Sequence, residues 1–208
     1  PHYSVYLMTG TVFWSFFSEC TSQGIQAIVG RSDLLRKISF PKWIIVVSST
    51  ITALINFLIN LCVIIVFALL NGVTPSFTWL LAPLVILELY LLSLGIAFFL
   101  GSINVKYRDI SSIWEVLMQA LFYAVPIIYP ITMVSASSAV AAKVLLLNPI
   151  AQVIQDARFL LITDQSITVW NYIDNIFLRF LPVLITLFVL TIGSIYFRKH
   201  SKYFAEEA

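Results

Sequence analysis

Residues 44–70 contain no charged side chain, and the runs 3–29, 77–100, 112–134 and 176–197 carry one each, at Glu19, Glu88, Glu115 and Arg179. Each run exceeds the ~20 residues an α-helix needs to cross a bilayer. Hydrocarbon offers the backbone no hydrogen-bond partner, so such runs must close their own bonds as helices. The expected fold is therefore all-α, a polytopic transmembrane helical bundle. Composition agrees: of 208 residues 60% are hydrophobic and 11% charged, and mean hydropathy is +0.97. A water-facing surface needs more charge than that.

The breaks between the runs hold the charge. Residues 30–42, GRSDLLRKISFPK, form the most basic of them. Ser32 can cap a helix, Asp33 falls in its first turn, and Asp33 and Lys37 are spaced for an i,i+4 pair. Leu34, Leu35 and Ile38 share one face, and Pro41 ends the helix. So short a helix needs a surface to dock on. The plainer reading is a solvated loop carrying topogenic charge; the sharper one is a coupling helix of Ser32, Asp33, Leu34, Leu35, Arg36, Lys37 and Ile38 pressed against a cytoplasmic partner.

Charge counting sets the orientation. Arg31, Arg36, Lys37, Lys42, Lys106, Arg108, Arg198, Lys199 and Lys202 lie in alternate connections or the tail, nine of the 12 Lys and Arg, leaving Lys143, Arg158 and Arg179 for the other side. The positive-inside rule makes the nine cytoplasmic, with the C-terminus inside the cell and Pro1 outside a multi-pass inner-membrane protein. An external start without a signal implies a missing upstream span.

Several segments break the helical pattern. Ser112 and Glu115 read as a capping box opening the fourth run. Pro126 and Pro130 must then free backbone carbonyls and distort its outer end. Residues 137–147 and 149–162 read as two short helices split by Asn148-Pro149, an external re-entrant hairpin, with a single broken span as the competing reading. Cys20 and Cys62 fall inside apolar runs and read as buried free thiols.

Polar stripes mark candidate surfaces. Ser15, Glu19, Ser22 and Gln26 fall on one face of the first run, and Gln119 and Tyr123 on one face of the fourth; Ser49, Thr52, Asn56 and Asn60 form a further stripe expected to pack between helices. Phe13, Trp14, Phe17, Phe122, Tyr123 and Tyr129 occupy the outer parts of two spans, where aromatic faces can stack on sugar rings or form an ordinary interfacial belt. The candidate translocation pathway is thus Phe13, Trp14, Phe17, Glu19, Ser22, Gln26, Gln119, Phe122, Tyr123 and Tyr129. No Walker A motif, nucleophile elbow or metal-ligand spacing occurs, so no catalysis, metal or nucleotide site is expected in this chain.

The segments SQGIQAIVGRSDLLRKISFPK, GSINVKYRDI, FYAVPIIYP and LLLNPIAQVIQDARFLLI, in this order and spacing, resemble the membrane subunits of ATP-binding-cassette polysaccharide exporters of the O-antigen and teichoic-acid type. The resemblance covers essentially the whole chain. It implies a permease working as a homodimer with a P-loop ATPase subunit that binds ATP and Mg, exporting a lipid-linked glycan, with membrane lipid around it and no nucleic acid. It also implies that Ser32 to Ile38 is the coupling helix and that residues 137–162 are paired external gate helices. The family begins with an amphipathic helix and a further span, so residues 1–208 read as a single transmembrane domain lacking both. Tyr123 stands where many relatives carry Trp. The alternative is a proton-coupled secondary transporter relaying through Glu19 or Glu88, although no inverted repeat supports it.

Overall fold

The computed structural model describes residues 3–31, 40–202 and 204. Among these residues there is no strand. In chain order the elements are α1 (Tyr3–Gln26), a 3-10 turn (Val29–Arg31), α2 (Trp43–Leu70), a 3-10 segment (Phe77–Leu81), α3 (Ala82–Lys106), α4 (Ile110–Ala124), α5 (Ile131–Ser137), α6 (Ala139–Leu146), α7 (Pro149–Leu161), α8 (Val169–Tyr172), α9 (Ile176–Arg179) and α10 (Leu181–His200). The segment Ser32 to Ile38 lies outside the described residues.

Among the described residues three helices are long and apolar enough to cross a membrane: α2, the continuous Phe77–Lys106 helix that contains α3, and α10. The all-α, polytopic expectation therefore holds. α1 has 24 residues, about 36 Å at the α-helical rise, but is not one of the three. Its polar content has a structural counterpart, because α1 is the hub of the fold, packed against α2, α3, α4 and α7. Phe13, Phe16 and Phe17 are buried there, and Phe13 and Phe16 enclose Phe57 of α2 at centroid distances of 5.0 and 4.7 Å.

Small residues set the closest crossings, as expected where lipid supplies no hydrophobic drive between helices. A Cβ on Gly193 of α10 would overlap the Gly95 carbonyl oxygen of α3, and one on Gly95 would lie 2.7 Å from Leu190 Cα. Gly24 of α1 meets Ala97 of α3 in the same way. At the end of the bundle where α1 stops and α2 starts, Ile28, Ile45, Phe98, Phe197 and Phe204 form a separate apolar cluster. Lys42 donates to the Ser201 carbonyl there, tying the start of α2 to the end of α10.

Local signals explain most boundaries. Asn71 closes α2, and Gly72 follows at φ +83°, a left-handed turn glycine tolerates without strain. Asn148 caps α7 by accepting from Ile150 N–H at 3.0 Å, with Pro149 in the first turn. α6 and α7 meet at a bend of 94°. Three expectations need correction. The fourth run begins as a helix at Ile110, so Ser112 lies inside it and caps nothing. Cys62 faces outward on α2, and Cys20 alone of the two thiols is buried. The Ser49, Thr52, Asn56, Asn60 stripe packs between helices only in part: Asn56 donates to Glu19 of α1 at 2.8 Å, while the buried face of α2 runs beside the stripe through Ala53, Phe57, Leu61 and Ile64 and leaves Thr52 and Asn60 exposed. Apolar bulk wins the interior position because it gains more from burial than a hydroxyl or amide does.

Candidate functional site

α1 and α4 enclose an open groove of about 560 Å³, lined by Trp14, Ser18, Ser22, Glu115, Met118, Gln119, Phe122 and Tyr123. The i, i+4 spacing of Trp14, Ser18 and Ser22 puts them on one face of α1; Glu115, Gln119 and Phe122 do the same on α4. Trp114 fixes the two helices together, donating its indole N–H to Thr21 Oγ1 at 3.0 Å and packing against Phe17. The floor is aromatic: Trp14 lies 5.8 Å from both Phe17 and Phe122, and Phe122 is 5.5 Å from Tyr123. Tyr123 is 72% exposed at the rim. The groove combines hydroxyl, amide and carboxylate groups with ring faces, a surface suited to polyhydroxylated rings.

Five of the ten residues expected along the pathway meet here: Trp14, Ser22, Gln119, Phe122 and Tyr123. Phe17 lies beneath them, buried under Trp14. The other four stand elsewhere. Phe13 is buried against Phe57. Glu19 accepts from Gln23 and from Asn56 of α2, both at 2.8 Å, and so joins α1 to α2. Gln26 is exposed at the end of α1. Tyr129 donates to the carbonyls of Tyr123 and Ala124, covering the end of α4. Ser18 and Met118 were absent from the expected set, although their spacing from Trp14 and Glu115 was visible; Glu115 belongs to the groove and not to a cap.

Beyond the groove the chain breaks between Ala124 and Ile131, where the two prolines fall, and the freed backbone is held by Arg158 of α7. Arg158 is fully buried. Its Nη1 donates to the Pro126 carbonyl at 2.7 Å, its Nη2 to the Ile127 carbonyl at 2.6 Å, and its Nε to the Tyr6 carbonyl at 3.2 Å. The guanidinium carbon sits 3.6 Å from the centroid of the Tyr6 ring. Gly10 leaves room for it, since a Cβ there would overlap Nη2. A planar fork of donors is suited to neighbouring carbonyls in a way a single ammonium is not. Counted as an external topogenic charge, Arg158 is instead an internal brace joining α1, α7 and the break.

A family model for ABC-2 type transporters matches residues 3–162. The O-antigen export system permease protein RfbA of Myxococcus xanthus is 32% identical over 149 residues, 72% of this chain and 57% of that protein. The protein of the same name from Klebsiella pneumoniae is represented by two sequences, each 26% identical over 99% of this chain and 76% of their own length. The chain thus spans about half to three quarters of the length of these relatives. The family match takes in α1 to α7, including the groove, the proline break and Arg158, and the chain belongs to the membrane subunits of the ABC-2 type transporters.

Proposed function

We propose that this chain is the permease of an ATP-driven exporter that moves a lipid-linked polysaccharide, of O-antigen, teichoic-acid or capsule-like type, across the cytoplasmic membrane. The observation that carries the reading is the aromatic and polar groove between α1 and α4, open along its length and rimmed by Tyr123. Its polar groups do not suit lipid. A second copy facing it would enclose them in a shared aqueous path, and the names of the relatives favour a glycan as the cargo. Hydrolysis of ATP with Mg belongs to a partner P-loop subunit. Ser32, Asp33, Leu34, Leu35, Arg36, Lys37 and Ile38 form its docking helix on the cytoplasmic side, where the C-terminus also lies. Against the proton-relay alternative, Glu19 is held between α1 and α2 by the amides of Gln23 and Asn56.

The test is export by the full permease reconstituted with its ATPase. Gln119→Ala with Tyr123→Ala is expected to slow glycan export while basal ATP hydrolysis persists; both side chains are exposed, so folding is spared. Unchanged export at normal protein level would move the path to another surface. Dependence on a proton gradient without ATP would replace the reading with the secondary transporter. A photocrosslinker at Leu35 is expected to capture the ATPase, and Leu34→Asp to abolish export with insertion intact.

A further inference from the structure

On the face of α3 that carries Gly95, about two turns nearer the start of the helix, a cavity of about 480 Å³ opens between α3, α7 and α8. One part of its wall is apolar, formed by Leu81, Leu84 and their neighbours. The remainder is acidic. Gln152 Nε2 donates to Asp156 Oδ2 at 2.5 Å and reaches Glu88 Oε2 at 3.4 Å, and Trp170 Nε1 donates to the same Asp156 oxygen at 3.1 Å. The donors of the cluster are therefore concentrated on one side of it. Glu88 Oε1, Gln152 Oε1 and Asp156 Oδ1 have no hydrogen-bond partner among the described residues. Gln152 is only 2% exposed and Asp156 5%. Buried acceptors without donors are costly and rare. Three on residues lining one cavity, with no Lys, Arg or His among them, suit a multi-donor cation.

We propose that this cavity binds the primary ammonium headgroup of a membrane lipid, with the acyl chains running down the exposed leucines of α3. An ammonium brings three N–H donors and a positive charge, matching three acceptors and two carboxylates. A shared proton adds one donor and a water two, fewer than the three acceptors. Trp170, a residue type concentrated at headgroup level, lines the cavity and is itself exposed. Leu81 and Leu84, which line the cavity, are exposed and carry its apolar wall outward. A glycan fits less well, because the Trp170 ring is packed edge-to-face against Phe180 at 5.3 Å and its N–H is already committed.

The full permease, purified with its ATPase, is mixed with phosphatidylethanolamine or phosphatidylcholine of the same chains, and retained lipid is read by native mass spectrometry. The two headgroups carry the same charge, but the trimethylated one has no N–H. Preferential retention of phosphatidylethanolamine, on the order of tenfold, is expected. Glu88→Gln with Asp156→Asn should reduce it to the phosphatidylcholine level while the mass of the assembly is unchanged. Equal retention of the two lipids by the wild-type complex, or preference that survives the double substitution, overturns the proposal. So does displacement of neither lipid with occupancy by the glycan, which would assign the cavity to the cargo. The wild-type comparison decides the matter even if the double variant fails to assemble.

Discussion

Arg158 answers the proline break with one side chain. Removing it leaves the Pro126 and Ile127 carbonyls buried and unpaired, which costs about 2–4 kcal/mol. Arg158→Ala is therefore expected to lower the melting temperature of the purified permease clearly, and Arg158→Lys to recover only part of the loss, because an ammonium cannot bridge two carbonyls and the Tyr6 ring at once. Gly10→Ala should resemble Arg158→Ala, since the added methyl occupies the place of Nη2. Melting curves check all three; equal stability of wild type and Arg158→Ala would mean that water replaces the guanidinium without loss. Glu19 teaches a different lesson at the same scale. A charged residue in an apolar run invites a pathway role, yet its neighbours Gln23 and Asn56 have the reach and donors to make it an interhelical tie.

Among the elements, α6 and α7 pose the sharpest question of topology. α7 buries nearly its whole surface against α1 and α3, whereas α6 keeps Val140 and Val144 exposed. The bend of 94° between them fits a single broken span as well as a re-entrant hairpin, and the hairpin is the arrangement proposed. Cysteines placed at Ser138 and Thr163 should then both react with an impermeant external reagent in intact cells. Reaction at one alone would make the pair a single broken span. The α3–α10 crossing is a second element-scale test. Gly193 touches the α3 backbone so closely that Gly193→Leu must force the helices apart. Overpacking of this kind costs about 1–3 kcal/mol or more, and a fall in folded yield of the full permease is expected. Undiminished yield would show that α10 can slide along α3 to accommodate the side chain.

For the whole molecule, what stands out is how much polar surface a membrane chain leaves uncovered. Ser15 and Gln26 on α1, Thr52, Asn56 and Asn60 on α2, and Glu115, Gln119 and Tyr123 on α4 are all exposed. α4 buries only Met118 and presents Ile113, Val116 and Leu117 outward as well. A helix with both faces open is expected to meet another surface, and the proposed homodimer supplies one. A cysteine at Tyr123 should form a disulfide or a short bismaleimide bridge with its counterpart in the assembled exporter. A complex that exports normally but never yields this bridge would place the two grooves apart from each other.

How much of this was legible beforehand divides along a physical line. Run length, charge-free composition, the Asn148-Pro149 cap and the Pro126–Pro130 break act through the local backbone and solvent, so residues 44–70 or 149–161 announce their helices without reference to anything distant. The motifs likewise carried the family. Which face of each helix turns inward depends on neighbours tens of residues away, and periodicity cannot supply that: the α2 stripe repeats regularly, yet Asn56 meets α1 while Thr52 and Asn60 point outward, because Phe57, Leu61 and Ile64 occupy the interior. Arg158 is the clearest case. Its charge read as a label for the outer side, and only the fold brings it beside carbonyls some thirty residues earlier in the chain, where a buried guanidinium is stable because each of its three nitrogens donates to an oxygen.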